Sequence, residues 1–111
     1  MNRYENSASQ LKAMGHPVRL QILDILRHGE VCVCHIERIL NKRQSYISQQ
    51  LMTLRNAGLV DSRKDGLQAY YRLVDDQVID LLYLLLGAFE AETLEVLEDC
   101  NCPACSNVLI T

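Results

Sequence analysis

The sequence predicts a mainly α-helical protein with one β-hairpin, arranged as a winged helix-turn-helix. Two observations predict this fold. Apolar residues recur at helical spacing through successive segments, two of which are joined by a short polar turn. Two β-type segments then flank Asp65-Gly66, a dipeptide typical of tight turns, and a last helix follows. A pair of helices followed by a hairpin is the order of a winged helix-turn-helix.

The first two helices are separated by Gly15-His16-Pro17. Weak helical periodicity predicts the first helix over residues 4–14. Pro17 fits the first turn of the second helix, because its missing N–H has no helical partner at that position. We expect Gly29 to end this second helix.

A helix-turn-helix pair is predicted over residues 32–56. Residues 31–34 alternate like a strand but are few, so we predict a third helix over residues 32–40 with an irregular first turn. A polar turn leads to a fourth helix over residues 44–56. Its apolar stripe, at steps of four and three, belongs to the core: Ile47, Leu51 and Leu54.

Two strands over residues 60–64 and 69–73 form the hairpin, and Asp75 or Asp76 caps a last helix that is expected to reach residue 98. Residues 1–98 then form one DNA-binding and dimerisation domain, and residues 99–111 form a cysteine-rich tail. The apolar run over residues 78–86, together with Phe89, is broader than one core face needs. With the first helix, it predicts the interface of a homodimer.

The charge distribution indicates a DNA-binding face, although the net charge is −3. Residues 38–72 hold seven Lys or Arg against two acids, whereas residues 73–111 hold eight acids and no Lys or Arg. DNA binding needs a local positive footprint rather than a positive total. The alternative is that these charges are simply scattered over solvated helices.

The predicted DNA contacts lie at the start of the fourth helix and on the hairpin. That end of a recognition helix enters the major groove, where Gln reads adenine and basic residues hold phosphates. We assign phosphate contacts to Lys42 and Arg43, groove contacts to Gln44, Ser45, Tyr46, Ser48 and Gln49, and wing-tip contacts to Arg63 and Lys64.

Neither a membrane protein nor an enzyme is expected. The first ten residues contain no apolar run, and the longest apolar stretch is interrupted by Asp80 and too short to cross a bilayer. We therefore expect a cytoplasmic protein with no membrane partner. No catalytic triad, glycine-rich phosphate loop or organic-cofactor motif is visible. Cys102-Pro-Ala-Cys105 follows a helix instead of opening one after a strand, which disfavours a thiol oxidoreductase.

Five cysteines fall into two groups: Cys32 and Cys34, then Cys100, Cys102 and Cys105. In a reducing cytoplasm, clustered thiols are metal ligands or redox groups more often than structural disulfides. Thiolates select soft ions such as As(III), Cd(II) and Pb(II), and three sulfurs suffice for a pyramidal site. We predict that the first pair binds such an ion with help from the tail, where Cys102 and Cys105 are favoured. A redox or persulfide switch is the alternative.

The spacing of Cys32 and Cys34 predicts how metal binding changes the affinity for DNA. On a regular helix, residues two apart point about 200° away from each other. Both thiols therefore reach one ion only if the start of the third helix is distorted, and this distortion lowers DNA affinity. We expect His35, the residue after Cys34, to be a polar group on the helix surface, and an additional metal ligand is the alternative.

Several segments together resemble the ArsR/SmtB family of metal-sensing repressors. Residues 11–20 are similar to its opening helix pair, 45–51 and 54–60 to its recognition helix and exit, and 70–73 to its second wing strand. The Val-Cys-Val-Cys-His-Ile segment at residues 31–36 resembles the Cys-Val-Cys-Asp-Leu element of the arsenite, cadmium and lead sensors. The resemblance covers roughly residues 8–98.

This resemblance implies an operator-bound homodimer that a thiophilic ion releases, with Cys32 and Cys34 as ligands. The chain departs from the family pattern at Glu37, where the arsenite branch often has a further cysteine, and residues 1–31 contain no cysteine. Further ligands must then come from the tail. All three histidines precede residue 37, so the histidine-containing zinc site of the family's last helix is not expected.

Overall fold

The computed structural model describes residues 2–88 and confirms the winged helix-turn-helix. Its elements, in chain order, are α1 (Arg3–Met14), α2 (Pro17–Leu26), β1 (Val31–Cys32), α3 (Val33–Leu40), α4 (Gln44–Asn56), β2 (Val60–Asp65), β3 (Gln68–Leu73) and α5 (Asp76–Leu86). Helices α3 and α4 form the helix-turn-helix, and β2 and β3 form the wing.

Local signals set most of the helix ends. The His16 side chain accepts a hydrogen bond from the Val18 N–H (3.2 Å), and Pro17 begins α2 as predicted. Asp75 caps α5 by accepting from the Gln77 N–H at 2.9 Å. Helix α2 ends at Leu26 and not at Gly29, because the chain tightens there into turns whose N–H groups reach back only three residues.

The wing belongs to a three-stranded antiparallel sheet in the order β1-β3-β2. Asp65 pairs with Gln68, so the turn consists of residues 66 and 67, and Gly66 takes the positive φ (64°) that such a turn requires. Cys32 pairs with Tyr70. The prediction of a third helix starting at Cys32 is therefore wrong: sheet pairing keeps this residue extended, and α3 begins at Val33.

The core lies where α2, α3, α4 and the sheet meet. The predicted stripe of α4 is fully buried, as are the main apolar residues of α2 and α3: Ile22, Leu23, Leu26, Ile36, Ile47, Leu51 and Leu54. Burial of one face of α4 leaves its opposite face in solvent.

Helix α5 buries Val78 and Leu82 in this core and packs half-buried Leu81 against it. It ends at Leu86, because Gly87 has a φ of 77° and its N–H bonds to the Tyr83 carbonyl (2.9 Å). One continuous helix to residue 98 is therefore wrong. Residues 89–111 lie outside the described residues, and with them Phe89 and the predicted tail of residues 99–111. Within residues 2–88, none of the helices combines the length and apolarity that crossing a bilayer requires.

Candidate nucleic-acid interface and thiol pair

The start of α4 presents a polar, exposed surface. Tyr46, one of the seven predicted DNA contacts here, is half-buried against the core. The other six are exposed: Lys42, Arg43, Gln44, Ser45, Ser48 and Gln49. Asn41 adopts the left-handed conformation (φ 52°), which ends α3 sharply and turns the chain into α4.

The first turn of α4 also offers its backbone. Arg43 occupies the N-cap position, and no side chain of residues 2–88 caps the helix there with a hydrogen bond. The first N–H groups of a helix have no partners within it, and they favour an anion such as a DNA phosphate. Lys42 and Arg43 lie beside this end, so backbone and side chains together make a positive edge.

Sequence reasoning missed the residue that anchors this helix. Gln50 is only 9 % exposed, and its Oε1 accepts a hydrogen bond from Arg19 Nε at 2.9 Å. Arg19 Nη1 also donates to the Ala13 carbonyl (3.0 Å). The contact ties α4 to α1 and α2. The available signal was that Gln50 follows Ile47 by three residues, on the core-facing side of the helix.

On the wing, the two predicted cations differ in their surroundings. Lys64 is exposed next to Asp65, the last residue of β2. Arg63 lies in β2 opposite Tyr70, and its guanidinium stands 4.6 Å from the centre of that ring. Its Nε and Nη2 donate to the Glu30 carboxylate at 3.0 and 2.7 Å. The hydrogen bond to Glu30 raises the pKa of Arg63.

Glu30 was not predicted to take part in the site. It lies just before β1 and 33 residues from its partner in the chain, so no local pattern points to this ion pair. The ion pair therefore links the loop between α2 and β1 to the wing.

Cys32 and Cys34 are brought together at the junction of the sheet and α3. Their sulfurs form a disulfide, with the Cα atoms 5.4 Å apart. Cys32 is fully buried, and Cys34 is half-buried. Because Cys32 precedes α3 and has extended backbone (φ −84°, ψ 158°), the sulfurs meet while α3 stays regular. The expectation that the helix must distort to unite them is therefore wrong.

The described residues contain part of the predicted ligand set. Cys100, Cys102 and Cys105 lie outside them, and within residues 2–88 no group of three or more Cys, His, Asp or Glu side chains is arranged to hold a metal ion. The two adjacent sulfurs fit two positions of a thiophilic site once they are reduced. His35 is buried (1 % exposed), not on the helix surface as expected, because it shares the core side of α3 with Ile36.

A second surface is apolar. On α5, Tyr83, Leu84 and Leu85 are 60 %, 83 % and 62 % exposed, and on α1 Tyr4 and Leu11 are 71 % and 58 % exposed. These are the two helices from which the sequence predicted a dimer interface.

Comparison with known proteins connects this geometry to regulators of transcription. The family model described as bacterial regulatory protein, arsR family, matches residues 16–62. An uncharacterised HTH-type transcriptional regulator of Methanocaldococcus jannaschii, MJ1325, is 43 % identical over 86 residues, which are 77 % of this chain and 97 % of that protein. The biofilm growth-associated repressor of Agrobacterium fabrum is 42 % identical over 79 residues, 71 % of this chain and 68 % of the repressor.

Among solved structures, the homodimeric winged helix-turn-helix DNA-binding domain of Mb0332 from Mycobacterium bovis superposes with a TM-score of 0.68. It is 34 % identical, and the match covers 74 % of this chain and 76 % of that one. The described fold is therefore shared with a DNA-binding domain.

Proposed function

Because the chain belongs to the ArsR/SmtB family of bacterial regulatory proteins, we propose that it is a homodimeric cytoplasmic repressor whose hold on operator DNA is controlled by Cys32 and Cys34. Family membership also confirms that the chain is not an enzyme. The repressor role draws support from the Agrobacterium relative.

The observation that carries the proposal is the contact between the two sulfurs at the start of the helix-turn-helix. Cys32 belongs to the sheet that contains the wing, and Cys34 belongs to α3, which packs against α4. A change in the bonding of this pair therefore acts on both elements assigned to DNA. The DNA contacts proposed for α4 are the seven exposed or half-buried residues described above, with Arg63 and Lys64 on the wing.

The first candidate signal is a thiophilic ion, As(III), Cd(II) or Pb(II). Reduced Cys32 and Cys34 would supply two thiolates to the ion. The third would come from the tail, where we favour Cys102 or Cys105 over Cys100. Loss of DNA affinity on binding is a coupling between two sites, typically about 1–3 kcal/mol.

The second candidate signal is oxidation, which the disulfide itself favours. Here the two thiols lose two protons and two electrons and form one S–S bond. A hydroperoxide accepts them, its O–O bond breaks, and it leaves as an alcohol and water. Thiolates at accessible positions react in this way, and half-buried Cys34 is the more accessible of the two.

A titration of the fully reduced protein–operator complex separates the two candidates. Fluorescence anisotropy of labelled operator DNA is followed while As(III), Cd(II), Pb(II) or a hydroperoxide is added. Release by an ion with the thiols still reduced supports the first candidate, and release only after oxidation supports the second. Cys32→Ser and Cys34→Ser should bind DNA normally and lose release. Wild-type protein that stays bound under every treatment overturns the proposed function.

A further inference from the structure

We propose that Glu30 is the positioning residue through which the thiol pair acts on the wing, because it holds Arg63 beside the strand that carries Cys32. This inference rests on the proposed function, in which the switch lies at Cys32 and Cys34. It adds a second route to DNA besides α3 and α4.

The Glu30 carboxylate neutralises one of the two predicted cations of the wing. Both Glu30 oxygens accept from Arg63, through Nε at 3.0 Å to each and through Nη2 at 2.7 Å. Such a two-pronged contact is the geometry in which Arg also binds phosphate, so a carboxylate here takes the place of a DNA phosphate. While the pair is formed, it adds no net charge to the wing. Lys64, the next residue, has no ion pair within residues 2–88.

Strand pairing links the sulfur of Cys32 to this ion pair. Cys32 pairs with Tyr70 across β1 and β3, and Tyr70 pairs with Arg63 across β3 and β2. Arg63 covers the ring of Tyr70 and reaches back over β3 to Glu30, two residues before Cys32. The ion pair thus connects β2, across β3, to the residue just before β1, and a shift of β1 against β3 moves Glu30 relative to Arg63.

The bonding state of the two sulfurs determines how easily Arg63 can reach DNA. In the disulfide-bonded structure, Cys32 is joined to the first turn of α3, β1 is paired with β3, and Glu30 holds Arg63. An ion bridging the two sulfurs imposes a similar restraint. The free dithiol lacks it, so Arg63 exchanges its carboxylate for a DNA phosphate more easily. Oxidation or ion binding then lowers DNA affinity.

The test compares wild type with Glu30→Gln, Arg63→Gln and the matched control Lys64→Gln, all as full-length chains. The operator Kd is measured reduced and after the treatment that releases wild type, whether a hydroperoxide or As(III), over a series of salt concentrations. The ratio of the two Kd values, typically about 5–150 for such a coupling, should fall at least about two-fold in Glu30→Gln and in Arg63→Gln, because the route through α3 and α4 remains. Lys64→Gln should weaken both states equally and preserve the ratio.

The salt series provides a second readout. In Glu30→Gln, Arg63 keeps only the longer contact of its Nη1 with the exposed Asp65 carboxylate (3.9 Å), which a DNA phosphate can replace. The slope of log affinity against log salt in the treated state should therefore become steeper by about 0.9, since each phosphate contact releases counterions. An unchanged ratio and slope in Glu30→Gln overturn the inference while leaving the proposed function intact. If every treatment leaves the operator Kd of wild type unchanged, the proposed function fails. A salt slope of Glu30→Gln equal to that of wild type would then also show that Glu30 does not keep Arg63 from DNA phosphates. Circular dichroism verifies that each variant is folded.

Discussion

Two neighbouring glutamines of α4 have different surroundings. Gln49 is exposed on the side assigned to the major groove, and Gln50 is buried against Arg19. A rotation of about 100° per residue separates their side chains, so one face of the helix packs on the core while the other, proposed to contact DNA, stays in solvent.

Replacing Gln50 by alanine should lower the free energy of unfolding by about 1.5–3 kcal/mol, because the buried hydrogen bond to a charged Arg19 is lost. Urea denaturation followed by circular dichroism measures this. Gln49→Ala is the matched control: its unfolding free energy should stay within about 0.5 kcal/mol of wild type, while its operator affinity falls. Equal losses of stability in the two variants would show that the faces of α4 are assigned wrongly.

A histidine near the end of α2 adds a pH dependence. Partial desolvation lowers the pKa of His28, the charge of Arg27 acts in the same direction, and Asp24 opposes both. The unfolded chain therefore binds a proton at higher pH than the folded one. Stability should be full above the ordinary value of 6.5 and decline as the pH falls through 6.5 toward the folded pKa.

Urea unfolding at pH 7.5 and at pH 5.5 checks this expectation. The decline between the two should be smaller in His28→Gln than in wild type. An identical decline in both proteins would exclude His28 as a source of the pH dependence.

Elements show where sequence reasoning is sufficient and where it is not. Helix α4 was predicted with its observed bounds, because its apolar stripe and the polar turn before it are both local signals. Strand β1 was taken for helix, because two residues become a strand only by pairing with Tyr70 and Tyr71, far along the chain. For the same reason, the polar face of α4 was visible in the sequence, while the Glu30–Arg63 pair was not.

The outer face of α5 should hold the dimer together. Leu84→Glu places a charge on a residue that is 83 % exposed in the single chain, so it should dissociate the dimer without unfolding it. Sedimentation velocity at micromolar concentration measures the mass. Leu67→Glu makes the same change on the fully exposed turn of the wing and should leave the dimer intact. A Leu84→Glu protein that sediments like wild type would move the interface elsewhere.

At the scale of the whole molecule, thiol site and DNA face are parts of one sheet-and-helix unit. If an ion weakens operator binding by some factor, operator DNA must weaken binding of that ion by the same factor, since both effects measure one coupling free energy. Competition titrations of As(III), with and without saturating operator, should therefore give Kd values in the ratio found for DNA. Unequal factors would reveal an additional equilibrium, such as dissociation of the dimer.

The uneven charge of this chain has a consequence for how it searches a chromosome. With a net charge of −3, the protein should approach nucleic acid productively only when the proposed DNA-binding residues around α4 and the wing lead. Binding to arbitrary sequence rests on phosphate contacts alone and is weak for a molecule with few such cations. On the proposed function, association with arbitrary sequence should therefore be orientation-dependent and should weaken further as salt is added, so that the search for the operator is sensitive to ionic strength.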